Sequence, residues 1–410
     1  MKPGLVSPEV IICDDAHAGE SFVADMWSLN VSADDDEPLF LQLVGFFGDA
    51  IRPELKSASA VRDVDLVPLP RYFSRLSELQ EMLNDYCMRS NSLRYSWMAI
   101  KGHLAACCVY VSPGSFLVRP LAPPTMTHPT FAEAKRRVYM SATLGEDGDL
   151  ERMFGVSKIH KISSSELKEA NTGRRLILFP ELMQPDAARL VWEAAASLTD
   201  RVLAIASGGP KVARQVKKRL KQRGLQVLDA KDIEEDLRAF TQAASTALLL
   251  TNRYDGIDLP GDECRRMLIF GVPGALNLQE QFLRDRLGAH ALMRNRIRVR
   301  LTQAVGRCTR DKNDYALIVC DGKDLKGWCT PTSNTQGLSA ELQAELEFGL
   351  DQSEGENREG MDAQTAQAAL DAFFAQSEDW LEDADSAIRE RSKELRRVPS
   401  DSADALAASA

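Results

Sequence analysis

A chain of 410 residues, 44% of them hydrophobic, has room for two or three domains with substantial cores. Its formal charge of -10 excludes a body coated in positive charge, while a local basic groove on an acidic surface stays open. Eight scattered cysteines with no CxxC pair or Cys/His cluster, and no apolar run of about 18 residues, lead us to expect reduced thiols, no membrane span and a cytoplasmic location.

In chain order, VIIC at 10–13 is a short buried strand that runs directly into Asp14 and Asp15. Residues 69–104 have helical patterning. AACCVYV, Pro113-Gly114 and SFLVRPL then form a β-hairpin, and RRVYMSAT at 136–143 is a second strand. From 175 onward apolar strands alternate with amphipathic helices, the pattern of a doubly wound parallel sheet. The strands are RLILF at 175–179, RVLAIAS at 201–207, LQVLDA at 225–230, TALLLTN at 246–252, MLIFGV at 267–272 and YALIVCD at 315–321. A helix over 211–223 places Val212, Val216 and Leu220 on one face and has Gly224 as its stop. Residues 331–361 are rich in Ser, Gly, Gln and Glu, and 362–396 are charged and helical, so we expect 331–410 to be an acidic linker and helical tail.

Four short segments carry the chemistry. In CDDAH at 13–17, two carboxylates sit at a strand's carboxyl end, where open α/β sheets bind ligands. There Asp14 can hold Mg²⁺ through water and Asp15 can orient a water for attack on a phosphate; an Asp-Asp turn capping the next helix is the alternative. In QAVGRCTR at 303–310, a helix over 294–310 would put Gln303, Arg307 and Arg310 on one face, with Ile297, Leu301, Ala304 and Val305 on another. Such a face can present two guanidinium groups to nucleotide phosphates. A solvated basic helix is equally compatible, and the alternation of Arg294, Arg296, Arg298 and Arg300 would also suit a strand. RYDGIDLPGD at 253–262 follows a buried strand; its Gly256 allows close backbone approach and Asp258 offers a carboxylate to a ribose hydroxyl, a water or an arginine. SATL at 141–144 also follows a strand.

The order and the shared strand-end position of CDDAH, SATL, RYDGIDLPGD and QAVGRCTR resemble motifs II, III, V and VI of a superfamily 2 helicase. The GIDLPGD and QxxGRxxR forms, with the long gap before SATL, most resemble the XPD/DinG-like, DEAH-related branch, over residues 8–321 and most strongly over 246–321. The resemblance implies an α/β fold of tandem RecA-like (P-loop NTPase type) parallel sheets. Residues 1–155 would form a partial first domain with a helical insertion at about 45–104, and 156–330 a second, helicase C-terminal domain. It implies ATP-dependent movement on single-stranded DNA, with ATP and Mg²⁺ as cofactors. Asp14 would hold the metal, Asp15, Arg307 and Arg310 would act on the γ-phosphate, and His17, Gly256, Asp258 and Gln303 would line the nucleotide site. Ser141 and Thr143 would couple that site to the nucleic acid.

Two departures stand out. The usual DEAH is DDAH here, so Asp15 is one methylene shorter than the family's glutamate. No GxxxxGK[ST] phosphate loop occurs in the 410 residues, and only 12 residues precede CDDAH. The nearest imitation, SGGPK at 207–211, has Pro210 in place of an amide donor and no Ser/Thr after Lys211. We therefore expect a truncated or split motor whose phosphate loop another polypeptide supplies, or a catalytically inactive nucleic-acid-binding or scaffold module. No iron-sulfur cluster is supported by these cysteines.

Overall fold

The computed structural model describes residues 8–14, 16, 19–56, 63–141, 149–160, 162, 173–253, 257–274, 277–378 and 380–398. The chain divides into two compact units, one drawn from Met1–Ile162 with Ala275–Met293, the other from Ser163–Gly274 with Arg294–Ser400.

The first unit contains two sheets. Strands β1 (Val10–Cys13) and β6 (Arg136–Tyr139) pair in parallel, Cys13 opposite Tyr139, and no third strand joins them among the described residues. One face is packed by Ala16, Leu150, Met153 and Phe154, with the Tyr139 and Phe154 rings 4.6 Å apart. On the strands themselves Val10, Ile12 and Val138 remain exposed, Ile12 at 63%. Parallel sheets are ordinarily covered on both faces, and among the described residues only one face of this pair is packed.

Between β1 and β6 lies a separate body with its own core. Strands β2 (Leu29–Ser32), β3 (Asp65–Leu66), β4 (Cys107–Ser112) and β5 (Ser115–Pro120) form an antiparallel sheet in the order β2-β5-β4-β3. Gly114, at φ 82°, supplies the left-handed residue that turns the β4–β5 hairpin. Helices Leu69–Ser74, Leu76–Cys87 and Arg94–Ile100 cover one face, where Trp97, Tyr72, Phe116 and Leu83 are fully buried. The opposite face carries helix Leu278–Asp285, whose Phe282 ring lies 5.6 Å from that of Tyr110. The stretch 45–104, expected to be helical, holds the helices Leu69–Ser74, Leu76–Cys87 and Arg94–Ile100 with the two-residue β3 as its strand among the described residues, and the expected hairpin follows it as β4 and β5.

The second unit is the doubly wound sheet, with each of the six expected strands present. They are β7 (Arg174–Leu178), β8 (Arg201–Ala206), β9 (Gln226–Asp229), β10 (Thr246–Thr251), β11 (Arg266–Phe270) and β12 (Tyr315–Asp321), all parallel in the order β7-β12-β11-β8-β10-β9. The apolar runs are buried on both faces, as such strands require. Helix Pro210–Arg223 buries Val216 and Leu220 and stops at Gly224, whose φ of 101° lets its N–H reach the carbonyls of Leu220 and Lys221.

The expectation of a linker and tail after 330 is corrected. Helix Ala340–Glu354 packs on β7 so closely that a Cβ at Gly349 would overlap the Ile177 carbonyl. The Ser353 hydroxyl accepts the Phe179 N–H at 3.0 Å, and the Glu345 carboxylate meets the Arg175 guanidinium at 2.8 Å with both side chains buried. Helix Ala363–Ala375 adds Leu370 and Phe373, with Trp380 beyond it, to the core around Val191. This segment completes the sheet's covering layer.

Burial pushes the Glu345 carboxyl up to about 7, opposed by Arg175 and assisted by Glu341 and Asp385. A carboxyl raised above its unfolded value contributes stability that is full below about pH 4.3 and is lost as pH rises through about 7. We predict that denaturant midpoints of the second unit fall between pH 5 and pH 8, and that Glu345→Gln removes this part of the decline. Equal slopes in the two proteins would contradict the assignment.

Candidate nucleotide-responsive site

Parallel pairing of β1 with β6 brings CDDAH and SATL together. The Cys13 carbonyl accepts the Met140 N–H at 2.9 Å, and the Met140 carbonyl accepts the Ala16 N–H at 2.7 Å. Asp14 therefore lies on an exposed turn and Ser141 directly follows the neighbouring strand, both at carboxyl ends. Asp15, His17 and Thr143 lie outside the described residues. Among the described residues no group of three or more His, Cys, Asp or Glu side chains could hold a metal ion. Asp14 fits a water-mediated Mg²⁺ contact, in which most oxygens come from solvent and nucleotide rather than from a protein cage.

The second unit joins RYDGIDLPGD to QAVGRCTR, by a geometry that differs from the expected one. Helix His290–Val305 gives way to a 3₁₀ turn at Gly306–Cys308, and Thr309 is extended at φ -141°, ψ 96°. Gln303 is on the helix, Arg307 on the turn and Arg310 beyond it, so the single helical face over 294–310 is corrected. The two arginines instead converge on Asp258. Arg307 Nη1 donates to Asp258 Oδ1 at 3.0 Å and to the Ile257 carbonyl at 3.2 Å. Arg310 Nε donates to the same Oδ1 at 2.9 Å, and its Nη2 reaches that oxygen too. Gly256 lies outside the described residues.

Asp314 is a second clamp that the sequence reading missed. Its Oδ2 accepts the N–H groups of Arg310 and Asp311 at 2.8 and 2.9 Å, and its Oδ1 accepts the Gly261 N–H at 2.9 Å. Leu259 N–H donates to the Arg307 carbonyl at 2.9 Å, closing the loop-to-loop ladder. The available signal was an Asp-rich turn, DKND at 311–314, just before a strand.

Burial separates the two arginines. Arg307's side chain is 5% exposed and Arg310's 44%, with Asp258 between them at 51%. Asp258 thus supplies one carboxylate oxygen to two guanidinium groups. Arg307 is fixed by its surroundings, whereas Arg310 can turn to an incoming anion by exchanging one oxygen acceptor for another.

In SGGPK the backbone polar groups of Gly208 are committed to Asn252. Asn252, at φ 51°, accepts the Gly208 N–H with its side-chain oxygen at 2.8 Å and returns its side-chain amide to the Gly208 carbonyl at 2.7 Å. A phosphate cradle needs such amides pointing at the ligand. The adjoining cleft of about 340 Å³ at the ends of β8, β11 and β12 is lined by Asp321, Asp324 and Arg219, with Arg219 paired to Asp321.

Residues 168–325 match the family described as the helicase C-terminal domain. No curated protein matches the chain. Among solved structures the chain is similar to one titled XPD helicase, at 12% identity with a TM-score of 0.47, covering 79% of this chain and 66% of that one. It is similar to an XPD apo structure at 12% identity and a TM-score of 0.47, covering 79% and 74% of the two chains. For Xpd4 of S. tokodaii the values are 16%, 0.40, 76% and 71%. The chain thus spans just under two thirds of the length of the first of these.

Removing the shared carboxylate takes from buried Arg307 the carboxylate it shares with Arg310. Asp258→Ala is predicted to destabilise the second unit by on the order of 2 kcal/mol, against less than about 1 kcal/mol for Arg310→Ala at the exposed end. Denaturant melts of the two variants check the ranking.

Proposed function

We propose that the chain carries motor elements of an ATP-dependent nucleic-acid helicase or translocase, acting on single-stranded DNA. The observation that carries the reading is the convergence of Arg307 and Arg310 on Asp258, which joins two strand-end loops into one cationic group. In this reading Arg310 leaves Asp258 for the γ-phosphate of bound ATP, while Arg307 holds the loop that positions it. Stabilising charge on the transferring phosphoryl group is the main service a protein renders to this reaction. Asp14 would hold Mg²⁺ and Asp15 would orient the attacking water. Gln303, His17 and Gly256 belong to the nucleotide side, and Ser141 and Thr143 to the coupling between nucleotide and strand. Bound Mg²⁺ supplies charge neutralisation between the phosphates.

The phosphate loop such a motor needs is not among these 410 residues, so it has to come from sequence or a polypeptide outside them. A second reading, an inactive nucleic-acid-binding or scaffold module, draws on that same fact and on the committed polar groups of Gly208.

The test is ATP hydrolysis by the protein as the native cell produces it, with and without single-stranded DNA. The motor reading predicts stimulation by the strand and a loss of about 10³-fold or more in Arg310→Ala, the scale of a missing arginine finger. Strand binding that ignores ATP, with no hydrolysis, would establish the second reading instead.

A further inference from the structure

Helix Pro210–Arg223 holds seven basic residues and no acidic one, on a chain whose net charge is -10. Three of the seven are neutralised on its flanks: Lys217 by Asp229, Arg219 by Asp321 and Arg223 by Glu193. The remaining four, Lys211, Arg214, Lys218 and Lys221, are all exposed and form no ion pair among the described residues.

Their spacing of three, four and three residues places them on one stripe, directly opposite the buried Val216 and Leu220. Exposed Gln215 and Gln222 flank the stripe on one side, so this part of the helix surface, its crown, carries no carboxylate. Only Lys221, in the last turn, is favoured by the helix dipole. Like charges three and four residues apart repel, and Lys211 sits in the first turn, where the helix dipole opposes a cation. Helix His290–Val305 is a useful contrast: its Arg298 and Arg300 are spent on the carbonyls of Ser333, Asn334 and Pro273.

We infer that the crown of this helix is a docking strip for the phosphate backbone of a nucleic-acid strand, read without regard to base sequence. From Lys211 to Lys221 the strip is about 15 Å long at 1.5 Å per residue, which spans about four phosphates at roughly 3.4 Å per nucleotide. It presents no aromatic or apolar side chain, so it offers neither base stacking nor an anchor for a peptide side chain. The inference rests on the proposed action on nucleic acid and adds the surface that grips the strand.

The experiment is fluorescence anisotropy of a labelled oligothymidylate with the full chain over a series of salt concentrations. The variant carries Lys211→Gln, Arg214→Gln, Lys218→Gln and Lys221→Gln together. Each lost phosphate contact removes about 0.7 from the slope of log affinity against log salt, so the variant's slope should be shallower by about 2 to 3. A companion variant, Gln215→Glu with Gln222→Glu, keeps every cation and should also bind more weakly, which decides the matter if the first variant fails to fold. An unchanged slope and affinity in folded variants would overturn the strip while leaving the proposed function intact. A wild-type chain that binds no strand would overturn both.

Discussion

One carboxylate oxygen, Asp258 Oδ1, receives both Arg307 and Arg310, and the arrangement of the candidate site follows from it. Arg307 is buried, and removing the partner of a buried guanidinium is destabilising. The loop after β10 is therefore held against the turn that precedes β12, and Asp314 repeats the fastening through three backbone N–H groups. Because the sheet interior is closely packed, the two loops have little freedom to separate. What remains adjustable is the exposed end, where Arg310 shares the oxygen that a phosphate could replace.

The second unit's sheet was legible because each strand is a nearly continuous apolar run bounded by helix, the pattern a parallel sheet requires. Gly224 marked its helix end for a single physical reason, the left-handed φ that only glycine adopts without cost. The site was legible in its residue types and less so in its geometry. The arginine spacing suited one helical face, yet the helix ends at Val305 and the chain extends at Thr309, so Arg310 approaches Asp258 from a different element. Asp314 carried no periodic signal, because its work is to accept backbone N–H groups. The layer after 330 was missed for a related reason. Glu345, Gln343 and Ser353 look like solvent residues, and each is buried against a specific partner, Arg175, the Leu338 carbonyl and the Phe179 N–H.

The first unit has a contrasting energetic character. Its insertion is self-sufficient, with Trp97, Tyr72 and Phe116 closing a core of their own, while the β1–β6 pair leaves Ile12 and Val138 in water. A two-stranded parallel pair is marginal by itself, and Asp14 lies at its carboxyl end.

The most direct test of this account is a double-mutant cycle between Asp258→Ala and Arg307→Met, read as denaturation free energies of the second unit. If the shared carboxylate fastens the two loops, the pair should show a coupling energy of about 1 kcal/mol or more, with the double variant less damaged than the sum of the single ones. Additive effects, within about 0.5 kcal/mol, would mean that Asp258 and Arg307 act independently and that the site is held together by something else.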